Sequence, residues 1–118
     1  MPLTHLYVSA THVRDLTPLV GMPLEFLSLG DSQVTDLAPL KGMRLWGLHI
    51  YETKVTDLSP LRGMPLKELK CYGTYVQRPD VLARNLEVLR SLKTLEKIND
   101  KPAADFLREL ATRKQSGR

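Results

Sequence analysis

The chain has 118 residues, 42% of them hydrophobic, and a net charge of +4, enough for one domain with an apolar core and too short for several. No apolar run approaches the roughly 18 residues that a membrane span needs, and the opening MPLTHLYVSATHV lacks the basic start and apolar middle of a signal peptide. A single cysteine, Cys71, excludes an internal disulfide, and neither Asn85 nor Asn99 opens a glycosylation acceptor pattern. The expected setting is therefore cytoplasmic, either a bacterial cytoplasm or the cytoplasmic side of a larger protein.

From Leu3 onward the chain repeats itself. LTHLYVSATHVRDLTPLVGMP from Leu3, LEFLSLGDSQVTDLAPLKGMR from Leu24 and LWGLHIYETKVTDLSPLRGMP from Leu45 align without insertion at a period of 21. A fourth copy opens at Leu66 and loses the pattern after Val76, so the repeats fill residues 1–78 as four coils. Each L-x-x-L-x-L run has the alternation of a half-buried strand, and strands brought back every 21 residues stack into a parallel sheet about 4.8 Å apart. Proline in one fixed slot (Pro18, Pro39, Pro60) suits a short 3₁₀ or irregular turn rather than a sheet or helix interior. Asp15, Asp36 and Asp57 stand just before it as caps for free amides, and Gly21, Gly42 and Gly63 let the chain turn back.

The inward columns are then Leu3, Leu24, Leu45, Leu66; Leu6, Leu27, Leu48, Leu69; Val8, Leu29, Ile50, Cys71; and Val13, Val34, Val55, Val76. Cys71, in an inward column, is expected to be a small buried hydrophobe rather than a nucleophile. Thr11, Ser32, Thr53 and Thr74 make a hydroxyl column, expected to bond backbone between coils.

Beyond the repeats, residues 79–114 read as a C-terminal cap of helix, degenerate strand and helix, with 115–118 a disordered tail. The first helix, Pro79 to Ser91, places Leu82, Leu86 and Leu89 on one face. The segment LKTLEKIN from Leu92 reads as a last strand with Lys97 in the inward slot and Ile98 displaced by one. Ala103, Phe106, Leu107, Leu110 and Ala111 form the apolar stripe of a terminal helix to about Lys114. No equivalent cap precedes Leu3, which leaves Leu3, Leu6 and Val8 at an open edge.

The VTDLSPLKGMPL-like repeat resembles the tandem leucine-rich repeats of planctomycete-type bacterial proteins, which are internalin-like. The tail LRSLKTLEKINDKPAADF is similar to the closing segment found where such repeats are attached to bacterial serine/threonine protein kinases. The resemblance implies an α/β fold: a short leucine-rich-repeat solenoid with a parallel sheet on its concave face, a 3₁₀ or irregular convex side and a helical C-terminal cap. It also implies a protein-interaction module. It brings no kinase activity, because no glycine-rich loop, HRD or DFG motif is present. Arg44 departs from the pattern, standing where other copies have proline.

In such a plan the residues between the strand leucines point out of the concave face. Their columns are Thr4, Glu25, Trp46, Lys67; His5, Phe26, Gly47, Glu68; Tyr7, Ser28, His49, Lys70; Ser9, Gly30, Tyr51, Tyr72; and Ala10, Asp31, Glu52, Gly73. Of seven aromatic residues, five (Tyr7, Phe26, Trp46, Tyr51, Tyr72) fall in these columns, as expected of a binding face rich in hot-spot residue types. His49, Lys70 and Glu52 complete the candidate site. Cross-strand packing is the competing explanation of the aromatics.

Catalysis is not expected. His49 beside Ser28 and near Glu52 or Glu68 has the makings of a Ser-His-acid set, but no oxyanion loop or closed pocket accompanies it. The scattered histidines and carboxylates lack metal-site spacings, His12 reads as a solvated residue just after its strand, and no phosphate-cradling loop exists, so no cofactor is expected. Residues 1–83 carry eight basic and eight acidic side chains and 84–118 nine and five, so the excess lies in the tail. There it alternates with acids along helices, the pattern of a solvated face rather than of a nucleic-acid or membrane contact. The expected function is non-catalytic binding of a protein partner through the concave aromatic face. The alternative is a structural module that oligomerises with copies of itself through the uncapped N-terminal coil.

Overall fold

The computed structural model describes residues 4–8, 13–73 and 79–116. Leu3, Val76, Ser9, Ala10, Thr11, His12 and Thr74, assigned places above, lie outside the described residues. The architecture is α/β. Strands β1 (His5–Tyr7), β2 (Phe26–Ser28), β3 (Gly47–His49), β4 (Glu68–Lys70), β5 (Lys97–Ile98) and β6 (Lys101–Pro102) form one six-stranded sheet in chain order. It is parallel from β1 to β5 and antiparallel between β5 and β6.

The register follows the sequence repeat. His5, Phe26, Gly47 and Glu68 are partners across four strands, as are Leu6, Leu27, Leu48 and Leu69. The leucine columns fill the inner side: Leu24, Leu27, Leu29, Leu45, Leu48, Ile50, Leu66 and Leu69 are at most 1% exposed. Each removes roughly 1.5–3 kcal/mol worth of apolar surface from water. Opposite the sheet run three 3₁₀ turns, Thr17–Leu19, Ala38–Leu40 and Ser59–Leu61, each with its proline near the start. The aspartate two residues before each turn closes it. Oδ1 of Asp15, Asp36 and Asp57 accepts the amides of Thr17, Ala38 and Ser59 at 2.9–3.0 Å. Charge-assisted bonding from the Thr17 amide, and then from its hydroxyl, holds the Asp15 carboxyl below its ordinary pKa.

The hydroxyl column behaves differently from expectation. Ser32 and Thr53 are buried, but each donates to the carbonyl three residues back, Leu29 and Ile50, at 2.6 Å. They tie the end of a strand to its own turn, not one coil to another. The reason is reach: a short hydroxyl side chain bonds most readily to nearby backbone.

The C-terminal part ends the ladder. Helix α1 (Pro79–Ser91) takes the place of a fourth 3₁₀ turn and packs on Ser59–Leu61. Its buried face is Val81, Asn85, Val88 and Leu89, continued by Leu92, with Leu86 only partly covered. That face differs from the expected Leu82-Leu86-Leu89 stripe because a polar residue sits at its centre. Asn85, 3% exposed, accepts the Leu58 amide at 2.9 Å through Oδ1 and donates through Nδ2 to the carbonyls of Thr56 (2.8 Å) and Val81 (3.0 Å). It thereby satisfies the Leu58 amide and the Thr56 carbonyl, backbone groups of the last 3₁₀ segment and its lead-in.

The last strand also corrects the sequence reading. Ile98 pairs with Leu69 in the inward column and is fully buried, whereas Lys97 pairs with outward Glu68 and is exposed. The step from Leu69 to Ile98 is 29 residues instead of 21, because a 13-residue helix replaces a three-residue turn. The unit to align was therefore Leu95-x-x-Ile98. Asn99 and Asp100, both at positive φ (55° and 66°), turn the chain into β6; two such residues give the tight hairpin whose twist matches its strands. Lys101 and Pro102 then blunt the sheet edge. Helix α2 (Ala103–Ser116) buries Ala103 and Phe106 with Leu107 half-covered. It runs to Ser116, two residues past the expected end at Lys114. The side chains of Leu82, Leu110 and Ala111 lie outside the described residues.

Two measurements test this packing. Asn85→Ala orphans the Leu58 amide and the Thr56 carbonyl, so urea unfolding is expected to show a loss of about 2–4 kcal/mol; a loss under about 0.5 kcal/mol contradicts the capping role. Cys71 is 1% exposed, and burial pushes its thiol up from 9.0 to about 12. Between those pH values the folded state holds a proton that the unfolded state has released, so stability falls as pH rises. Relative to Cys71→Val, the wild type is expected to lose about 1 kcal/mol between pH 9 and 10; parallel pH curves for the two proteins contradict a buried, protonated thiol.

Candidate functional site

The side of the sheet opposite the leucine core carries a continuous run of rings. Phe26 is its hub, with centroids 5.9 Å from His5, 5.3 Å from Tyr7, 5.2 Å from Trp46 and 4.8 Å from His49. From His49 the run continues to Tyr51 at 6.2 Å and to Tyr72, whose ring stacks on Tyr51 at 5.1 Å and 7°. These separations lie in the range of favourable aromatic pairs, each worth about 0.5–1.5 kcal/mol beyond its buried area. All five aromatics predicted for this face are therefore brought together, and His49 joins them.

They are not equally available. Phe26 is 5% exposed, although its column faces away from the leucine core. It lies over Gly47, where an added Cβ would come within 2.6 Å of its ring, and Tyr51 occupies the corresponding space over Gly30. Each glycine leaves a hollow that a ring from the neighbouring strand fills. For Phe26, cross-strand packing accounts for the position, and its ring does not reach a partner. Tyr51 is half-buried; among the described residues Tyr7 (68%), Trp46 (38%) and Tyr72 (42%) are the exposed large rings. The signal was in the columns: Phe26 and Gly47 share one, Gly30 and Tyr51 another.

Charges border the run. His49 Nε2 and Glu68 Oε2 are 2.7 Å apart, and Lys70 Nζ lies 3.5 Å from Asp100 Oδ2. Glu68, rather than Glu52, is thus the acid beside His49. Ser28 is 2% exposed, so its hydroxyl is not presented to solvent. Glu52 is exposed, has φ of 56° and folds its carboxylate over Gly73. Asp31, one strand earlier, has φ of 63°. Non-glycine residues at such angles mark a turn imposed by the repeat.

At the other candidate surface Leu6, Val8, Val13 and Leu19 are only partly buried, and Tyr7 and Val20 (61%) are exposed. The equivalents of the four partly buried residues in the next two turns (Leu27, Leu29, Val34 and Leu40; Leu48, Ile50, Val55 and Leu61) are fully covered. Two shallow clefts of about 310 and 390 Å³ share Gly42, Met43 and Arg44; neither is lined by one of the rings, and the larger includes Glu25. Among the described residues no cluster of three His, Cys, Asp or Glu side chains is placed to hold a metal, and no helix is long and apolar enough to cross a membrane. No protein-family model matches the chain, and no curated protein matches it.

Gly30→Ala is expected to push the Tyr51 ring off its seat and break the Tyr51–Tyr72 stack. NOEs between the two rings should disappear and the midpoint of thermal unfolding should fall by about 4 °C or more, the shift that about 1 kcal/mol produces in a domain of this size. An unchanged stack would contradict the hollow-and-ring packing.

Proposed function

We propose that the chain is a leucine-rich-repeat solenoid of the planctomycete-type bacterial class, capped at its C-terminus, and that it acts as a non-catalytic binding module for a protein partner in the cytoplasm. The fold reading is supported by the parallel strands returning in a 21-residue register with 3₁₀ turns opposite. The functional reading rests mainly on one observation. Trp46 and Tyr72 stand exposed on a ridge whose inner rings, Phe26 and Tyr51, are locked into glycine hollows. Rigid aromatic anchors presented this way lose little conformational entropy on binding. The buried Ser28 and the open surface speak for binding rather than turnover.

The half-covered Leu6, Val8, Val13 and Leu19 favour a second reading, self-association through the β1 edge. Trp46→Ala/Tyr72→Ser changes exposed side chains only, so the variant is expected to fold. Both it and the wild type should be monomers by light scattering, and only the wild type should retain specific proteins from a bacterial lysate. The same retained set with both proteins sinks the binding-face reading. An oligomer that survives the double change and is lost in Tyr7→Pro supports assembly instead.

A further inference from the structure

We propose that the aromatic ridge recognises an arginine-bearing segment of its partner, with the arginine laid along Trp46 and its guanidinium on Glu25; this deepens, and rests on, the binding-face reading above. Trp46 is the only tryptophan in the chain and is 38% exposed. Phe26 at 5.2 Å and His5 at 6.2 Å hold one side of the indole. The remaining surface is a preset platform.

Glu25 holds the same slot one strand earlier. The Trp46 amide donates to the Glu25 carbonyl at 2.8 Å, so the two residues sit side by side at the sheet spacing of about 4.8 Å. Glu25 is exposed and, among the described residues, has no ion-pair partner; the same holds for Asp31 and Glu52 on the same two turns. Farther along the sheet Glu68 is engaged by His49 and Asp100 by Lys70, while Lys67 and Lys97 are exposed. Of these carboxylates only Glu25 borders the indole, on its β2 side, while Asp31 and Glu52 lie six residues farther along the two chains; Lys67 holds the same slot on the β4 side. A cation on the ridge is drawn to Glu25 and away from Lys67.

Both halves of this pair favour guanidinium over ammonium. Its plane stacks on an indole, and its fork meets a carboxylate with two hydrogen bonds. Lysine offers a point charge and a stem that does neither as well.

The single tryptophan makes the test direct. Trp46 fluorescence of the full chain is followed while adding the acetylated, amidated peptide Gly-Pro-Arg-Pro-Arg-Pro-Gly, or analogues with lysine, citrulline or glutamate for arginine. A saturable change is expected with arginine, with affinity at least about ten-fold lower for citrulline, which keeps the shape without the charge. Glu25→Gln, isosteric and exposed, should weaken the arginine peptide about ten-fold with unchanged thermal stability, whereas Lys67→Gln should leave binding equal or tighter. Equal binding of the citrulline or glutamate peptide, an unaffected Glu25→Gln variant, or no saturation overturns the arginine assignment. If the lysate pull-down still depends on Trp46 and Tyr72 when the arginine peptide fails, only the arginine assignment falls. A pull-down indifferent to both rings overturns the binding-face reading itself.

Discussion

Everything in this molecule depends on a ladder that no single turn can complete. A 21-residue unit places one short strand and one 3₁₀ turn, too little to bury its own leucines or satisfy its own amides. The next unit supplies both: Leu27 stacks on Leu6, Leu48 on Leu27, and each strand's amides find carbonyls on the strand that follows, Val8 on Ser28, Leu29 on His49 and Ile50 on Lys70. Interior turns are alike because they meet the same neighbours, and the ladder must be ended differently from the way it is extended. The C-terminal segment does so with side chains in place of backbone. Asn85 takes the Leu58 amide, Thr94 donates to the Leu66 carbonyl at 2.7 Å, and Asn99 Oδ1 accepts the Cys71 amide at 2.7 Å. The antiparallel hairpin then brings Lys101 and Pro102 to the edge, where they discourage further pairing.

The same register builds the opposite face. Partners across the strands share a column, so a glycine on one strand is a hollow for the ring on the next, and the pairs Phe26 over Gly47 and Tyr51 over Gly30 are consequences of the 21-residue spacing. The result is a small second core on the outward side, with Trp46 and Tyr72 on top of it. The binding proposed for this face draws on that rigidity: the exposed rings are held by buried ones, and the buried ones are held by the ladder.

The sequence made the ladder legible because its signal is translational. Each leucine slot, each Asp before the turn and each Pro within it is read by comparison with its copies. The end of the ladder was harder, because a cap resembles nothing earlier in the chain. Asn85 breaks an apolar helical stripe, and a search for apolar spacing passes over it although it is the centre of the buried face. Ile98 was misplaced because helix α1 lengthens the step to 29 residues, and an alignment that assumes a fixed period fails there. Phe26 was correctly set on the outward face, yet direction is not exposure: what covers it comes from His5, Tyr7, Trp46 and His49 on the neighbouring strands and turns.

The most direct test of the central claim, that side chains of the C-terminal segment stand in for a missing turn, is residue-resolved amide hydrogen exchange. If Asn85 and Asn99 close the ladder, the Leu58 and Cys71 amides exchange as slowly as those of Leu29 and Ile50, whose acceptors are the backbone carbonyls of His49 and Lys70. Exchange of Leu58 and Cys71 at the rate of exposed turn amides, while Leu29 and Ile50 stay protected, would contradict it.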